Sequence, residues 1–390
     1  MADLATPTRL ETRRGALRLP VFLPDATRAV VRAVDSLDLR RVGVEALVVN
    51  TFHLMRAPGA RLVKSAGGVH DFMGWDGPVI SDSGGFQVYS LIRQNPAAGT
   101  IRANEVIFRE PQTGEKVLLT PEKAIQVQFQ LGSDVVMCLD DCTSAEDDEA
   151  AQAQSVERTV RWAAKCKAEF EKLAASSRAG RPLLFAVVQG GGSERLRRQC
   201  AADLTALGFD GYGYGGWPIA PDGSLLADAM ELVARSVPAG TPLHALGVGR
   251  PDHVVRAARL GYTIFDCALP TRDARHQRLY AFLPGQEHGP FDAERKFYDV
   301  VYMLDQKHAN DFTPIDPTCD ALCCTRYSRA YLRHLFKIED ASALRLATLH
   351  NLRFYTRLIE GLRRSGPHPN PLPGGEGIQP RPLGEAAAGG

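Results

Sequence analysis

Five polar residues stand where short apolar, β-rich runs end: Asp82 closes PVISD, Asp140 and Asp141 close DVVMCLDD, Gln189 closes LLFAVVQ, and Asp266 comes next to last in YTIFDC. Glycines follow several of them, as Ser83-Gly84-Gly85, Gly190-Gly191-Gly192, and Gly215-Gly216 at the end of FDGYGYGG. Two carboxylates held close together suit displacement at the anomeric carbon of a sugar, one attacking while the other moves the proton. Glycine turns let a flat ligand approach the backbone, and backbone amides with Asp and Gln side chains can read a purine edge. Taken singly, Asp82 suits a helix cap or a turn, and Asp140 and Asp141 would serve equally to end a strand. Asp266 is flanked by Ile264 and Phe265, where an unpaired charge is costly. The conjunction carries the argument, because independent caps have no reason to end successive strands on one face.

The elements that must hold these residues follow a rhythm. From 47 to 267 the runs LVVN, PVISD, DVVMCLDD, LLFAVVQ, FDGYGYGG, LHALGVG and YTIFDC alternate with segments of helical period, among them 151–175, 193–207 and 251–260. Such alternation indicates βα units and a parallel sheet. With PVFLP near the N-terminus the strands number eight, which predicts an α/β fold of the (β/α)8 barrel type over residues 1–284; an open doubly wound sheet is the alternative. In a parallel barrel the strand ends and following loops carry the chemistry, so the four carboxylates and the amide are expected on one rim. Residues 285–365 read as a smaller appended subdomain with helices at 326–336 and 341–364, and the Pro/Gly-rich stretch 366–390 reads as a disordered tail.

Composition sets the outer limits. The chain has 390 residues, 44% hydrophobic and 23% charged, with 46 Lys+Arg against 45 Asp+Glu. That excludes disordered, collagen-like and disulfide-scaffold classes, and a net charge of +1 leaves phosphate contacts to local clusters. The N-terminus lacks the apolar run of a signal peptide, and no uncharged stretch approaches the roughly 18 residues a membrane span needs, so a cytoplasmic protein is expected. In that reducing setting the scattered Cys138, Cys142, Cys166, Cys200 and Cys267 read as buried free thiols, whereas Cys319, Cys323 and Cys324, clustered within six residues, suggest a metal.

Longer runs carry a family resemblance. VVNTFHLMRAPG, GGVHDFMGWDGPVISDSGGFQVYSL, LTPEKAIQVQFQLGSDVVMCLDDCT, VVQGG, FDGYGYGG, GVGRPDHVV, FDCALPTRDAR and SRAYLRHLF occur in that order over roughly 14–364, and together they resemble the tRNA-guanine transglycosylases. The resemblance implies a (β/α)8 barrel with a small C-terminal zinc subdomain, and exchange of the wobble guanine of tRNA for a 7-deazaguanine base. It implies that Asp266 is the nucleophile at ribose C1′ and Asp82 the general acid/base. Asp140 would accept from the purine N1 and exocyclic amine, Gln189 and the Gly215-Gly216 turn would contact the O6 side, and Phe86 would stack on the ring. Arg272 and Arg275 of PTRDAR would grip nucleotides beside the target, although alone they would read as a solvated loop. The target nucleotide must first be flipped from its stack. A homodimer is implied as well, one subunit catalysing while the other supports the RNA.

Three departures from the family pattern bear on function. The family's Cys-x-Cys-x2-Cys…His zinc motif aligns here with Cys319, Cys324 and His350, but Ala321 replaces the middle cysteine. Cys323 is the expected substitute, completing a Cys3His structural zinc site, with His308 and Asp320 weaker alternatives. Trp217-Pro218-Ile219-Ala220-Pro221 stands where bacterial relatives carry Leu-Ser/Ala-Val-Gly-Glu. Pro221 supplies neither a carboxylate nor a backbone donor, so a weaker preference for the aminomethyl base is expected unless Asp222 substitutes. Ile219 disfavours a bulkier cyclopentenediol base, and Cys142 occupies the bacterial-type position. Finally, the N-terminal hairpin reads as truncated and 282–311 as carrying extra residues.

A non-catalytic partner subunit is opposed by retention of both Asp82 and Asp266, and a paralogue acting on another nucleic acid is kept alive by the altered loop. A metal-dependent lyase ranks last, because no histidine accompanies Asp82, Asp140 or Asp266 in the sequence runs.

Overall fold

The computed structural model describes residues 6–109, 114–144 and 146–365; the segment 366–390, expected as a disordered tail, lies outside the described residues. Eight strands, β1 (Val21–Pro24), β2 (Leu47–Val49), β3 (Val79–Ser81), β4 (Val135–Met137), β5 (Leu183–Val188), β6 (Gly211–Tyr214), β7 (Leu243–Ala245) and β8 (Ile264–Cys267), form one sheet. Their order is β1-β8-β7-β6-β5-β4-β3-β2, and every pairing is parallel. The β1–β2 seam closes through a parallel bridge between Asp25 and Val48, with Ala26 N–H donating to Val48 O at 2.8 Å. This is the (β/α)8 barrel expected from the alternating runs.

Strand residues alternate between two cores, as the pleat requires. Val21, Leu23, Val48, Ile80, Val135, Met137, Phe185, Val187 and Ile264 fill the barrel interior. Their neighbours Phe22, Val136, Leu184, Ala186, Leu243, Ala245 and Phe265 pack outward under the helices. The N-terminal hairpin, Arg9–Thr12 with Gly15–Arg18, adds Leu10 and Leu17 to the interior core and so plugs the end of the barrel away from the strand C-termini. Its turn residue Arg13 ties it down, bonding Asp134 at 2.9 Å and Ser133 O at 2.8 Å. Short as the hairpin is, it closes the barrel floor.

Helices begin where the sequence offers a cap. Asn50 caps Thr51–Arg56, Thr120 caps Pro121–Leu131, Asp148 caps Glu149–Ala175 and Ser193 caps Glu194–Leu207, each accepting a backbone N–H of the first turn. Gly132, at φ 76°, ends the second of these in the left-handed conformation that glycine adopts without a Cβ penalty. The helix expected at 326–336 runs over Arg329–Lys337, preceded by a separate short helix, Leu322–Arg326. Tyr327 between them is extended, and Ser328 caps the second by accepting Tyr331 N–H, so a local cap overrides the helical period. A three-stranded antiparallel sheet, Gly99–Ile101, Val106–Arg109 and Lys116–Leu119, lies between β3 and β4 in sequence and was not anticipated.

The C-terminal residues pack in two ways. Leu279, Met303, Ile315, Cys319, Cys323, Cys324, Leu332, Phe336 and Leu346 share a core of their own. The long helix Ala341–Arg364 also turns back on the barrel, with Phe354, Tyr355 and Leu358 in the outer barrel core and Arg363 bonding Pro20 O at 2.9 Å. Residues 282–311 contribute Tyr298–Tyr302, which pairs antiparallel with Arg278–Phe282. No helix among the described residues is long and apolar enough to cross a membrane.

Candidate active site

The strand alternation sets the rim. Asn50 lies two residues beyond the inward Val48, Asp82 two beyond Ile80, Gln189 two beyond Val187 and Asp266 two beyond Ile264, so all four turn toward the barrel mouth. Asp82 is held by Asn50 Nδ2, by Thr51 N–H at 3.0 Å and by Gly84 N–H at 3.2 Å. Burial pushes its carboxyl up to about 7, the backbone bond from Thr51 opposes this, and the negative charges of Asp266 and Asp25 add to it. Near neutrality, then, Asp82 divides between acid and base forms and is able both to give and to take a proton.

Asp140 accepts from Gln189 Nε2 at 2.7 Å. Its carboxyl rises to about 6 through burial, which outweighs the Gln189 bond, with the Asp141 charge contributing. Asp141, expected on the same rim, is turned aside: its carboxylate pairs with Arg158 on the helix Glu149–Ala175, and its N–H donates to Thr159 Oγ1 at 3.0 Å. Of the four carboxylates expected on the rim, Asp82, Asp140 and Asp266 therefore face the mouth, and Asp25, two residues beyond the inward Leu23, lies on the same rim. Gln189 Oε1 is buried without a hydrogen-bond partner, a costly condition that a ligand donor would relieve. Gly215 is required here, since a Cβ would come within 2.6 Å of both Gln189 Cδ and Val188 O. Gly216 follows at φ 85°, next to the Gln189 amide. Below them Gly211 sits against the Phe185 ring, leaving no room for a side chain.

Asp266, one-fifth exposed, accepts from His244 Nε2 at 2.8 Å and from Gly247 N–H at 3.1 Å, both on Oδ1. A histidine thus does accompany the carboxylates, contrary to the sequence reading. The signal was present in LHALGVG: Leu243 and Ala245 face outward, so the residue between them must face in. Asn50, the last residue of LVVN, was missed for the same reason. At the rim Phe86, on Gly85–Gln94, stacks on Trp217 with ring centroids 6.1 Å apart and planes inclined by 18°. Both rings are exposed, Phe86 by 44% and Trp217 by 54%. Arg272 and Arg275 lie on the helix Leu269–Arg275 that follows β8, Arg272 exposed and Arg275 half-buried. Burial lowers the Arg275 guanidinium, and the like charges of Arg32 and Arg272 act in the same sense, which marks a basic edge beside the acidic mouth.

A second cluster lies in the C-terminal core. One ligand atom each of Cys319, Cys324 and His350 lie within 4.8 Å of one another, with Cys324 Sγ 3.2 Å from His350 Nδ1. The other ring nitrogen, Nε2, faces Tyr280 O at 2.6 Å. A carbonyl can only accept, so Nε2 carries a proton and Nδ1 is the nitrogen turned toward the thiols, the orientation a metal-binding histidine needs. Cys323 does not join the group. It neighbours Cys324 on the helix Leu322–Arg326, where successive side chains diverge by about 100°, and it packs in the apolar core instead. Asp320 is occupied by Arg353. Of the scattered thiols, Cys138, Cys142, Cys166 and Cys200 are buried and Cys267 is partly so.

Fold and rim together define an α/β-barrel enzyme whose mouth is lined by carboxylates and an amide. Residues 3–365 match the sequence profile of the family described as queuine tRNA-ribosyltransferase. Curated proteins called queuine tRNA-ribosyltransferase resemble the chain throughout. That of Shouchella clausii is 39% identical over 359 residues, covering 92% of this chain and 88% of its own length. Those of Pseudoalteromonas translucida and Shewanella halifaxensis are 38% and 39% identical over 357 residues, covering 92% and 91% of this chain and 88% of their own lengths. The chain belongs to the queuine tRNA-ribosyltransferase family, and is a transferase of the tRNA-guanine transglycosylase type.

Proposed function

We propose that this enzyme exchanges the wobble guanine of tRNA for a 7-deazaguanine base by double displacement. The observation that carries the proposal is the divergent setting of two carboxylates, Asp266 fixed by two donors and Asp82 raised to about 7 by burial. Asp266 attacks ribose C1′, the C1′–N9 bond breaks with its electron pair going to the base, and Asp82 delivers a proton to the departing guanine. The incoming base then gives its N9 proton to the Asp82 carboxylate and attacks C1′, releasing Asp266. Asp140 accepts from N1–H and the exocyclic amine, which frees the Gln189 N–H to meet O6. Gly215 and Gly216 admit the ring edge, and Phe86 covers its face. Arg272 and Arg275 hold neighbouring nucleotides. A tRNA substrate implies a cytoplasmic setting. The exposed aromatic face of Phe312 and Tyr331, the latter stacked on Tyr327, supports a homodimer.

The loop after Gly216 bears on the choice of base. Asp222, the remaining carboxylate near Pro221, accepts from Ser224 N–H at 2.8 Å and Ser224 Oγ at 2.6 Å in an exposed turn. It is satisfied there and directed to solvent, which supports a weak preference for the aminomethyl base. Labelled guanine is expected to enter tRNAs with a guanine wobble base and no others. In competition the aminomethyl and nitrile bases should differ by less than about tenfold, since no charge-assisted bond distinguishes them. Label entering tRNAs with other wobble bases would remove the tRNA assignment, and a strong aminomethyl preference would remove the loop argument.

Cys319, Cys324 and His350 would hold a structural zinc, which contributes folding energy and takes no part in the exchange. Purified protein should contain one zinc per chain by elemental analysis. Cys324→Ser should lose the metal and several kcal/mol of stability, whereas Cys323→Ser should keep the metal. Loss of zinc from Cys323→Ser would restore the four-residue set expected from the sequence.

A further inference from the structure

His244, fully buried on β7 among the apolar residues of the barrel interior, reaches Asp266 through Nε2. A carboxylate accepts only, so Nε2 carries the hydrogen. The opposite nitrogen, Nδ1, is buried and has no partner, so the ring's placement is not set by a second hydrogen bond. Both donors to Asp266, His244 Nε2 and Gly247 N–H, converge on Oδ1, and among the described residues nothing donates to Oδ2.

We propose that His244 is a positioning residue that, with the Gly247 amide, engages Oδ1 of Asp266 and so assigns Oδ2 as the oxygen that attacks C1′. This rests on the reading of Asp266 as nucleophile. In the first displacement the Oδ2–C1′ bond forms, the C1′–N9 bond breaks, and the base departs with the proton from Asp82. Oδ1 becomes the carbonyl oxygen of the glycosyl ester and keeps both donors. In the second displacement the Oδ2–C1′ bond breaks and its electron pair returns to the carboxylate, whose charge is met again by His244 and Gly247 without reorganisation. The same two donors therefore orient the nucleophile and stabilise it as a leaving group. A histidine suits the place because its ring spans from the barrel axis to the strand end while exposing a single donor.

The test compares His244→Leu, His244→Gln and Asp266→Asn with wild type in guanine exchange, with melting temperature measured for each. Leucine fills similar space without a donor, and the glutamine amide can place a nitrogen near the position of Nε2. His244→Leu should lower kcat by about 100-fold, the loss typical of one charge-assisted hydrogen bond, with KM for tRNA within about twofold. His244→Gln should recover at least about tenfold of that loss. Wild-type kcat in a folded His244→Leu, or an equal loss in both folded variants, overturns the inference; should the leucine variant not fold, the glutamine variant decides alone, with kcat within about tenfold of wild type expected. If Asp266→Asn exchanges guanine at the wild-type rate, the nucleophile assignment itself falls. If Asp266→Asn is inactive while His244→Leu is normal, only the role of His244 falls.

Discussion

Asp266→Asn is expected to lower the rate of guanine exchange by roughly 10⁴- to 10⁶-fold, the scale seen when a covalent nucleophile is removed. The amide keeps the size of the side chain and can still accept from Gly247 N–H, so the fold and tRNA binding should persist while the nucleophilic oxygen is gone. KM for tRNA should stay within a few fold, because what disappears is an interaction made only in the transition state. The covalent RNA–enzyme species should disappear as well. A barrel that used Asp266 only to orient a water molecule would instead release guanine by hydrolysis, leaving a hydroxyl on C1′ and no incorporated base.

The second large effect belongs to Asp82 and is read through pH. A carboxyl that donates to the departing guanine works in its protonated form. Burial raises it to about 7, so kcat/KM for tRNA should fall as pH rises above about 7, tenfold per unit. Asp140 gives the opposite limb: it must be ionised to accept from the purine, burial holds it at about 6, and activity should fall as pH drops below that value. The resulting bell is narrow and lies between the two values, and as a property of kcat/KM it reports the free enzyme. Asp82→Ala should cost about 10²- to 10⁴-fold and flatten the alkaline limb. An alkaline limb that survives in Asp82→Ala would assign the proton to another group.

Much of this arrangement was legible in the residues because it is periodic or local. Short apolar runs such as PVISD and YTIFDC place Asp82 and Asp266 at strand ends, and the alternation of these runs with helical segments predicts a barrel. Caps such as Asp148 and Ser193 fix helix starts within one or two residues of the expected positions. What escaped is tertiary. Asp141 looks equivalent to Asp140 until Arg158, 17 residues later and on a packed helix, draws it away. His244 looks like one more residue of a β-rich run until β8 brings Asp266 beside it. Cys323 looks like the natural partner of Cys324, but one residue step of about 100° around the helix separates their directions. In each case the deciding partner, Arg158, Asp266 or His350, is brought up by packing that adjacent sequence does not encode.

The measurement that tests the central claim most directly is isolation of the RNA–protein adduct. Enzyme would be mixed with guanine-wobble tRNA without added base, quenched in denaturant, and digested for mass spectrometry of the RNA-linked peptide. A ribose attached through C1′ to Asp266, lost on addition of guanine to the native complex and absent from Asp266→Asn, is the predicted result. A linkage at Asp82 or elsewhere, or efficient exchange with no adduct at any time, would contradict the double displacement through Asp266.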